Sequence, residues 1–301
     1  MSPLRIGLVL PMSSIEAGAL LELARHAEEF GFDGLFAFDH FFPPRAPPDR
    51  PSLEAYATLA AVAAVTTRVS IGTLVTRASL RPAGLLAKQA GALDDISGGR
   101  FVLGIGTGDE ASKAEHDVFG LPYLGKEARR AHLVETVRAA RMLFNGEAWP
   151  GGEHVQAMGG PLLPPARRGG PPIWIGGESE SVARIAAREA DGWNGWAVDE
   201  ETFAARVRLL RAEANGRSVE PTWAGPIVVR RDAREVERIV AARRERGSMQ
   251  EAFAGDLGAT AGWLERLAEA GATWAILLAA GGPDRVDVIG EGLLPRLAAR
   301  A

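Results

Sequence analysis

Residues 6–38 read IGLVLPMSSIEAGALLELARHAEEFGFDGLFAF and contain the unit from which the fold is built. Residues 6–10 form an apolar run that ends at a proline, which is typical of a strand buried on both faces. A helix follows, because apolar side chains recur at helical spacing at Leu20, Leu23, Ala24, Ala27 and Phe30. Ser13 and Glu16 match a capping box at its start, and a glycine supplies its end. Residues 34–38 then form a second apolar strand.

The same rhythm of strand and helix runs through the rest of the chain. Further strands are predicted at residues 69–75, 101–105, 173–175, 192–196, 225–229 and 274–279. Further helices are predicted at residues 53–65, 82–96, 179–188, 200–214, 233–246 and 263–270, with one through Leu133 and Phe144 and a last one ending near Leu297. Eight parallel strands with crossover helices in 301 residues favour a closed barrel over an open doubly wound sheet. We therefore predict an α/β fold, a (β/α)8 TIM barrel that forms one domain over residues 1–301.

The composition excludes several classes of protein. The chain has no cysteine, which excludes disulfide scaffolds, cysteine-ligated zinc, thiolate-held iron–sulfur clusters and a thiol nucleophile. Its net charge is −4 and no block of like charges stands out, so we expect no nucleic acid partner. The longest apolar stretch, residues 56–65, is about half as long as a membrane-spanning helix. With no signal-peptide pattern at the start, we expect a cytoplasmic protein without a membrane partner, and we assign no metal site.

One segment, residues 147–172, breaks the rhythm as an insertion before the fifth strand. It is crowded with glycine and proline, which excludes a helix. A stretch of this length without regular structure is either a lid beside an active site or a plain linker. We favour the lid, and the sequence leaves both open.

Candidate chemistry follows three of the predicted strands. In a (β/α)8 barrel the reactive groups lie at the carboxyl ends of the strands and in the loops that follow. The second strand leads into Asp39, His40, Phe41 and Phe42, and the fourth into Gly106, Thr107, Gly108, Asp109 and Glu110. The fifth leads into Gly176, Gly177, Glu178 and Ser179. The turn at residues 97–100, by contrast, precedes a strand and is expected at the bottom of the barrel, where it serves stability.

His40 is the candidate for proton transfer. An imidazole titrates near neutral pH and exchanges protons with a substrate when it lies at the mouth of the barrel. Asp109 or Glu110 is the candidate general acid or base beside it, although acidic residues in such a loop often only cap a helix. The sequence gives no distance between these groups, so both interpretations stay open.

The turn from Gly176 to Ser179 lies between a strand and the start of a helix. Backbone N–H groups and the positive end of the helix dipole bind phosphate at such a position, and glycines let the anion come close. The alternative is a tight turn with nothing bound.

These residues resemble a known family. Residues 29–33 (EFGFD) leading to Asp39 and His40, residues 71–76 (IGTLVT), 93–108 (LDDISGGRFVLGIGTG), 173–179 (IWIGGES) and 190–193 (ADGW) carry the resemblance. The chain is similar to the luciferase-like monooxygenase superfamily of flavin and deazaflavin enzymes, and more closely to its branch dependent on coenzyme F420.

The resemblance implies a (β/α)8 barrel, a homodimer and a flavin-like ring at the barrel mouth, with its phosphate at Gly176 and Gly177. Asp39, His40 and Thr76 would line the deazaflavin, and Gly106 and Thr107 would meet its pyrimidine edge. The bond between Thr73 and Leu74 would be a cis peptide behind the ring. In relatives that oxidise sugar phosphates, a histidine and a glutamate after the Gly-Thr-Gly motif transfer protons, and Asp109 followed by Glu110 occupies the position of that glutamate.

The sequence departs from the sugar-phosphate-oxidising relatives in two loops. Those relatives carry a tryptophan shortly after the Asp-His pair and a glutamate after the first strand, whereas here residues 41–44 read FFPP and residues 12–14 read MSS. We therefore expect a less polar small-molecule substrate.

Three functions follow as hypotheses. The first is a coenzyme F420-dependent oxidoreductase that transfers a hydride between the deazaflavin C5 and a small organic substrate. The second is a monooxygenase that uses reduced flavin mononucleotide (FMN) and oxygen. The third is a barrel that binds the cofactor, or nothing, without turnover.

Overall fold

Eight parallel strands close into a barrel in the computed structural model, which describes residues 3–13, 15–42, 52–158, 169–248 and 251–299. The ring consists of β1 (Arg5–Val9), β2 (Gly34–Ala37), β3 (Ser70–Thr73), β5 (Phe101–Gly106), β6 (Ile173–Gly176), β7 (Gly192–Trp196), β8 (Glu220–Arg230) and β10 (Trp274–Ala280). Two short strands add to it: β4 (Thr76–Arg77) follows β3 and pairs with β5, and β9 (Phe253–Asp256) pairs with β8. β10 pairs with both β1 and β8, which closes the ring. The predicted TIM barrel is confirmed.

The helices follow the strands around the outside of the barrel. They are α1 (Ala17–Phe30), α2 (Ala55–Val65), α3 (Ala83–Ile96), α4 (Lys113–Val118), α5 (Lys126–Phe144), α6 (Glu180–Glu189), α7 (Glu200–Glu213), α8 (Ala233–Glu245), α9 (Leu257–Glu269), α10 (Arg285–Asp287) and α11 (Leu294–Ala298). Short 3₁₀ turns at Ala78–Leu80 and Glu110–Ser112, and a π-helical turn at Val288–Leu293, complete the set. Within the described residues, no helix has both the length and the apolar character needed to cross a membrane.

One local expectation was wrong, and one strand was missed. The capping box at Ser13 and Glu16 does not form: Glu16 is itself the N-cap, in an extended conformation, and its side chain makes no capping hydrogen bond. β9 was not predicted because its four residues lack the apolar run of a barrel strand. It pairs with the last residues of β8, outside the ring, and leads into α9, which begins at Leu257.

Three aromatic rings fill the interior of the barrel. Phe36 lies 5.8 Å from Trp174 and 5.7 Å from Trp274, measured between ring centroids. Glycines on neighbouring strands leave room for these rings, since a Cβ on Gly72 would lie 2.9 Å from Phe36 and one on Gly192 would lie 2.4 Å from Trp174. The interior is therefore packed rather than open, as in other barrels of this type.

Two side chains tie the elements at the bottom of the barrel. Arg100 donates to the backbone carbonyls of Ala63, Thr66 and Val69 and so holds the end of α2 against the start of β3. The carboxylate of Glu28, on α1, accepts three backbone N–H groups from residues 67–69. These contacts fit the structural role expected for the turn at residues 97–100.

The structure describes residues 147–158 and 169–172 of the glycine- and proline-rich segment. Trp149 pairs with Met158 in an isolated antiparallel bridge. The Glu135 carboxylate on α5 accepts the N–H groups of Glu153, His154 and Val155, which fixes this part of the segment to the barrel. Residues 159–168 lie outside the described residues, and the lid stays a hypothesis.

Candidate active site

Asp39 follows β2 and is the centre of a buried polar network. Its carboxylate accepts two hydrogen bonds from Arg81, at 2.5 and 3.1 Å, and one from the Thr76 hydroxyl at 2.9 Å. Because the Thr76 proton is used in that bond, the Tyr56 hydroxyl at 3.0 Å donates to Thr76. Burial, with the charge of Asp39, raises the pKa of Tyr56, so Tyr56 stays protonated.

This network fixes the end of β2 to the residues after β3. Arg81 also binds the carboxylate of Glu54, at 2.6 Å, and lies over the Tyr56 ring. Asp39 and Thr76, both predicted to line a cofactor, are thus brought together, and the oxygens of Asp39 already have donors within the protein.

His40 is paired with a carboxylate that comes from another element. Its Nδ1 lies 2.6 Å from Oε1 of Glu115 on α4, and its side chain is 27% exposed at the barrel mouth. The other oxygen of Glu115, Oε2, accepts the backbone N–H of Phe41 at 2.7 Å and Nη2 of Arg77 at 2.8 Å. Both carboxylate oxygens are therefore hydrogen-bonded.

Glu115 is ionised in this setting. Burial raises the pKa of its carboxyl group, since only 2% of the side chain is exposed. The hydrogen bonds from His40 and from the Phe41 N–H, with the charge of Arg77, outweigh burial and lower the pKa overall. An ionised partner accepts the Nδ1–H of His40, which leaves Nε2 free to take up a proton.

Asp109 and Glu110 do not contact His40. The Asp109 carboxylate accepts the Ser112 N–H at 2.9 Å and the Ser112 hydroxyl at 2.7 Å, and so caps the 3₁₀ turn at the start of which Glu110 lies. Both residues are exposed. The carboxylate that pairs with His40 is that of Glu115, not that of Asp109 or Glu110. A catalytic role for Asp109 or Glu110 stays a prediction.

The cis peptide was predicted one residue too early. It joins Leu74 to Val75 rather than Thr73 to Leu74. The Thr73 side chain is buried and donates to the carbonyl of Gly104 at 2.7 Å, and Leu74 belongs to the barrel interior. Val75, half-buried, is the residue of this turn that lies against the neighbouring strands.

Val75 covers a wall made of glycines. A Cβ on Gly106 or on Gly176 would each lie 2.8 Å from a methyl group of Val75, and one on Gly104 would lie 3.2 Å away. Gly106 and Gly176 are direct partners in the sheet. The predicted residues Gly106 and Gly176 therefore meet at one place, with an aliphatic side chain in front of them.

Thr107 and Gly108 continue this wall toward the mouth. Thr107 is half-buried, and Gly108 has a φ of 70°, in the left-handed region that favours glycine. A Cβ on Gly108 would lie 3.0 Å from Cδ of Arg77. The loop therefore packs directly on the arginine that binds Glu115.

The turn after β6 is held by its own hydrogen bonds. The Gly177 N–H donates to the Asn194 carbonyl, and Trp193 Nε1 donates to the Gly177 carbonyl. Ser179 caps α6, and the carbonyl of exposed Glu178 accepts a bond from Arg206. These contacts make a tight turn before a helix start, and phosphate binding at Gly176, Gly177, Glu178 and Ser179 stays a prediction.

Aromatic side chains surround His40 at the mouth. The Phe38 ring lies 6.2 Å from the His40 ring and 5.4 Å from that of Trp196. Phe41 lies 4.2 Å from Phe119. These rings give His40 an apolar border on one side, while Glu115 and Arg77 form its charged side.

Sequence reasoning missed Glu115, Arg77 and Arg81. Arg77 and Arg81 follow the third strand, and the rule about strand ends that found His40 applies there as well. Glu115 lies on α4, just after the 3₁₀ turn that follows the residues predicted after the fourth strand. Its carboxylate, in the same connection between strand and helix, was the signal that could have identified it.

Sequence comparison finds a relative with a named enzymatic activity. An F420-dependent glucose-6-phosphate dehydrogenase of Nakamurella multipartita is 33% identical over 199 residues, which is 64% of this chain and 56% of that protein. The first curated relatives are matched over 58% of their length, so the chain spans just over half the length of the relatives that it matches.

Solved structures share the fold over nearly the whole chain. An F420-dependent secondary alcohol dehydrogenase in complex with an F420–acetone adduct has a TM-score of 0.80 at 21% identity, covering 98% of this chain and 99% of that one. EDTA monooxygenase from Chelativorans sp. BNC1 has a TM-score of 0.83 at 15% identity, covering 99% and 94%. The luciferase-like monooxygenase profile matches residues 4–294, and the chain therefore belongs to the luciferase-like monooxygenase family.

Proposed function

We propose that the protein is a coenzyme F420-dependent oxidoreductase that transfers a hydride between the deazaflavin C5 and a small organic substrate. The observation that carries this proposal is the pair of His40 and Glu115 at the barrel mouth. His40 Nδ1 lies 2.6 Å from Glu115 Oε1, and Nε2 has no hydrogen-bond partner among the residues that the structure describes. The similarity to an F420-dependent dehydrogenase supports the choice of cofactor.

The residues at the mouth suit a planar cofactor with a phosphate. Val75 in front of Gly106 and Gly176 offers an aliphatic surface for a ring, and the backbone at Gly106 and Thr107 offers polar groups for its edge. The start of α6, with Ser179, would hold the phosphate. When bound, the deazaflavin supplies a carbon that accepts or gives up a hydride.

The protein's own part in the reaction is to hold and move one proton. If an alcohol is the substrate, Nε2 of His40 would accept its hydroxyl proton while the bound cofactor would accept the hydride from its carbon, which would leave the carbonyl compound. Glu115 stabilises the imidazolium that forms, and Arg77 keeps Glu115 oriented and ionised. In the reverse direction Nε2 returns the proton.

The second candidate is a monooxygenase that uses reduced FMN and oxygen. The fold shared with EDTA monooxygenase favours it, and Phe41 and Phe42 are equally suited to wall a flavin pocket. This function would use the same barrel mouth, but the reaction with oxygen would be carried by the flavin.

Titration of the purified protein with coenzyme F420 and with FMN separates the two candidates. Binding is measured by fluorescence at matched ionic strength. We expect F420 to bind with micromolar affinity and FMN to bind much more weakly. The opposite preference would favour the monooxygenase. If the unchanged protein turns over a substrate and His40→Ala keeps F420 binding but abolishes turnover, the carrier is excluded. If the unchanged protein binds F420 but shows no turnover with any hydride donor or acceptor, the carrier is favoured.

We also propose a homodimer located in the cytoplasm, as the family resemblance and the composition suggest. Light scattering after size-exclusion chromatography tests the dimer.

A further inference from the structure

Two exposed apolar side chains follow Glu115 on the chain, next to half-buried Phe41. Val118 and Phe119, at the end of α4, are 61% and 54% exposed, and the Phe119 ring lies 4.2 Å from the ring of Phe41. We call Phe41, Val118 and Phe119 the apolar lip. An apolar patch at the edge of a site favours the binding of an apolar group.

The apolar lip is attached to the proton-transfer group by one carboxylate. Oε1 of Glu115 binds His40, and Oε2 binds the backbone N–H of Phe41. Glu115 also lies on α4, the helix that ends at Val118 and leads into Phe119. The two sides of the lip are therefore held in fixed positions relative to His40.

The charged groups around the lip neutralise each other. The Arg77 guanidinium lies 5.8 Å from the Phe41 ring and is bound to Glu115, and Lys113 on α4 is bound to Asp117. His116 lies next to Glu115, and its burial lowers its pKa, which favours the neutral imidazole. A surface of this kind offers little attraction to a phosphate and favours an apolar group.

We propose that the apolar lip binds the apolar part of the substrate, and that the substrate is an uncharged alcohol, or its carbonyl product, carrying a ring or a branched alkyl group. This inference rests on the proposed function, because it names the substrate class of that site. It assigns Phe119 and Val118 to substrate specificity, while His40 handles the proton of the hydroxyl group.

Ligand-detected NMR with 1-phenylethanol and glucose 6-phosphate as probes tests the inference without turnover. Phe119→Ser removes the lip ring, and Ile96→Ser is the matched control, since Ile96 is 57% exposed and ends α3 at the opposite end of the barrel. We expect 1-phenylethanol to bind about tenfold more weakly to Phe119→Ser than to the unchanged protein, and equally to Ile96→Ser. Glucose 6-phosphate should not compete.

The inference would be overturned by no binding of 1-phenylethanol, by unchanged binding to Phe119→Ser, by equal loss in both variants, or by displacement by glucose 6-phosphate. A change of oligomeric state in Phe119→Ser, measured by light scattering, would instead show that a second copy covers the lip, and would overturn it too. The measurements are made with and without F420. If F420 does not bind but Phe119→Ser still binds 1-phenylethanol more weakly, the proposed function is wrong and the role of the apolar lip is supported. If F420 binds and Phe119→Ser binds 1-phenylethanol as well as the unchanged protein does, the role of the apolar lip is wrong and the proposed function is unaffected.

Discussion

At the scale of single residues, one carboxylate organises the site. Glu115 binds His40, Phe41 and Arg77 through two oxygens, and it lies 75 residues from His40 in the sequence. The rule that barrel chemistry lies at strand ends was enough to predict His40. It could not predict the partner, because which carboxylate reaches Nδ1 depends on how α4 packs rather than on where a strand ends.

Replacing Glu115 by glutamine tests this role. Glu115→Gln keeps the shape of the side chain but removes the charge that stabilises the imidazolium. It also puts an NH2 group in place of one of the two oxygens that now accept N–H groups. We expect kcat to fall about a hundredfold, with F420 affinity nearly unchanged. Asp117→Asn, on the same helix and bound only to Lys113 at the surface, is the control and should keep full activity. An equal loss in both variants would refute the role of Glu115.

At the scale of elements, carboxylates on helices tie the connections between strands. Glu28 on α1 accepts the N–H groups of Thr67, Arg68 and Val69, just before β3. Burial raises its pKa, but these three hydrogen bonds outweigh burial and lower the pKa overall. Helix and strand positions were predictable from apolar spacing, whereas such ties join residues about 40 apart in sequence and follow only from the packed structure.

The lowered pKa of Glu28 predicts a pH dependence of stability. Its folded-state pKa lies below the ordinary value of 4.5, so its contribution is complete above that value and is lost as the pH falls through the folded-state pKa. We expect Glu28→Gln to lower the free energy of unfolding by about 1 kcal/mol at neutral pH, with the difference shrinking on acidification. Urea unfolding across this range measures it. Exposed Glu29→Gln is the control, and a difference that stays constant with pH would contradict the assignment.

At the scale of the whole molecule, the barrel is filled by rings that glycines accommodate. The alternation of strands and helices was enough to predict eight strands and a closed ring. It could not predict which residues fill the interior, because the parallel strands are apolar on both faces and give no sign of which face is inside. The match of Phe36, Trp174 and Trp274 with glycines on other strands appears only when the ring is closed.

Adding a methyl group inside the ring tests this packing. A Cβ on Gly192 would lie 2.4 Å from the Trp174 ring, so Gly192→Ala should lower the free energy of unfolding by about 2 kcal/mol. Gly18→Ala is the control, because nothing lies within 4 Å of that Cβ and alanine favours the helix. Chemical denaturation of both variants measures the difference, and a neutral Gly192→Ala would show that the interior is loosely packed.

The shared carboxylate of Glu115 limits how the protein can change. Because the same group orients His40 and fixes the Phe41 backbone, a mutation that moves Phe41 to admit a new compound also disturbs proton handling. Phe119 contacts Phe41 through its ring, and its own hydrogen bond to Glu115 uses the backbone carbonyl rather than the carboxylate. Natural variation and laboratory evolution of the compounds accepted should therefore accumulate at positions 118 and 119 before reaching position 41.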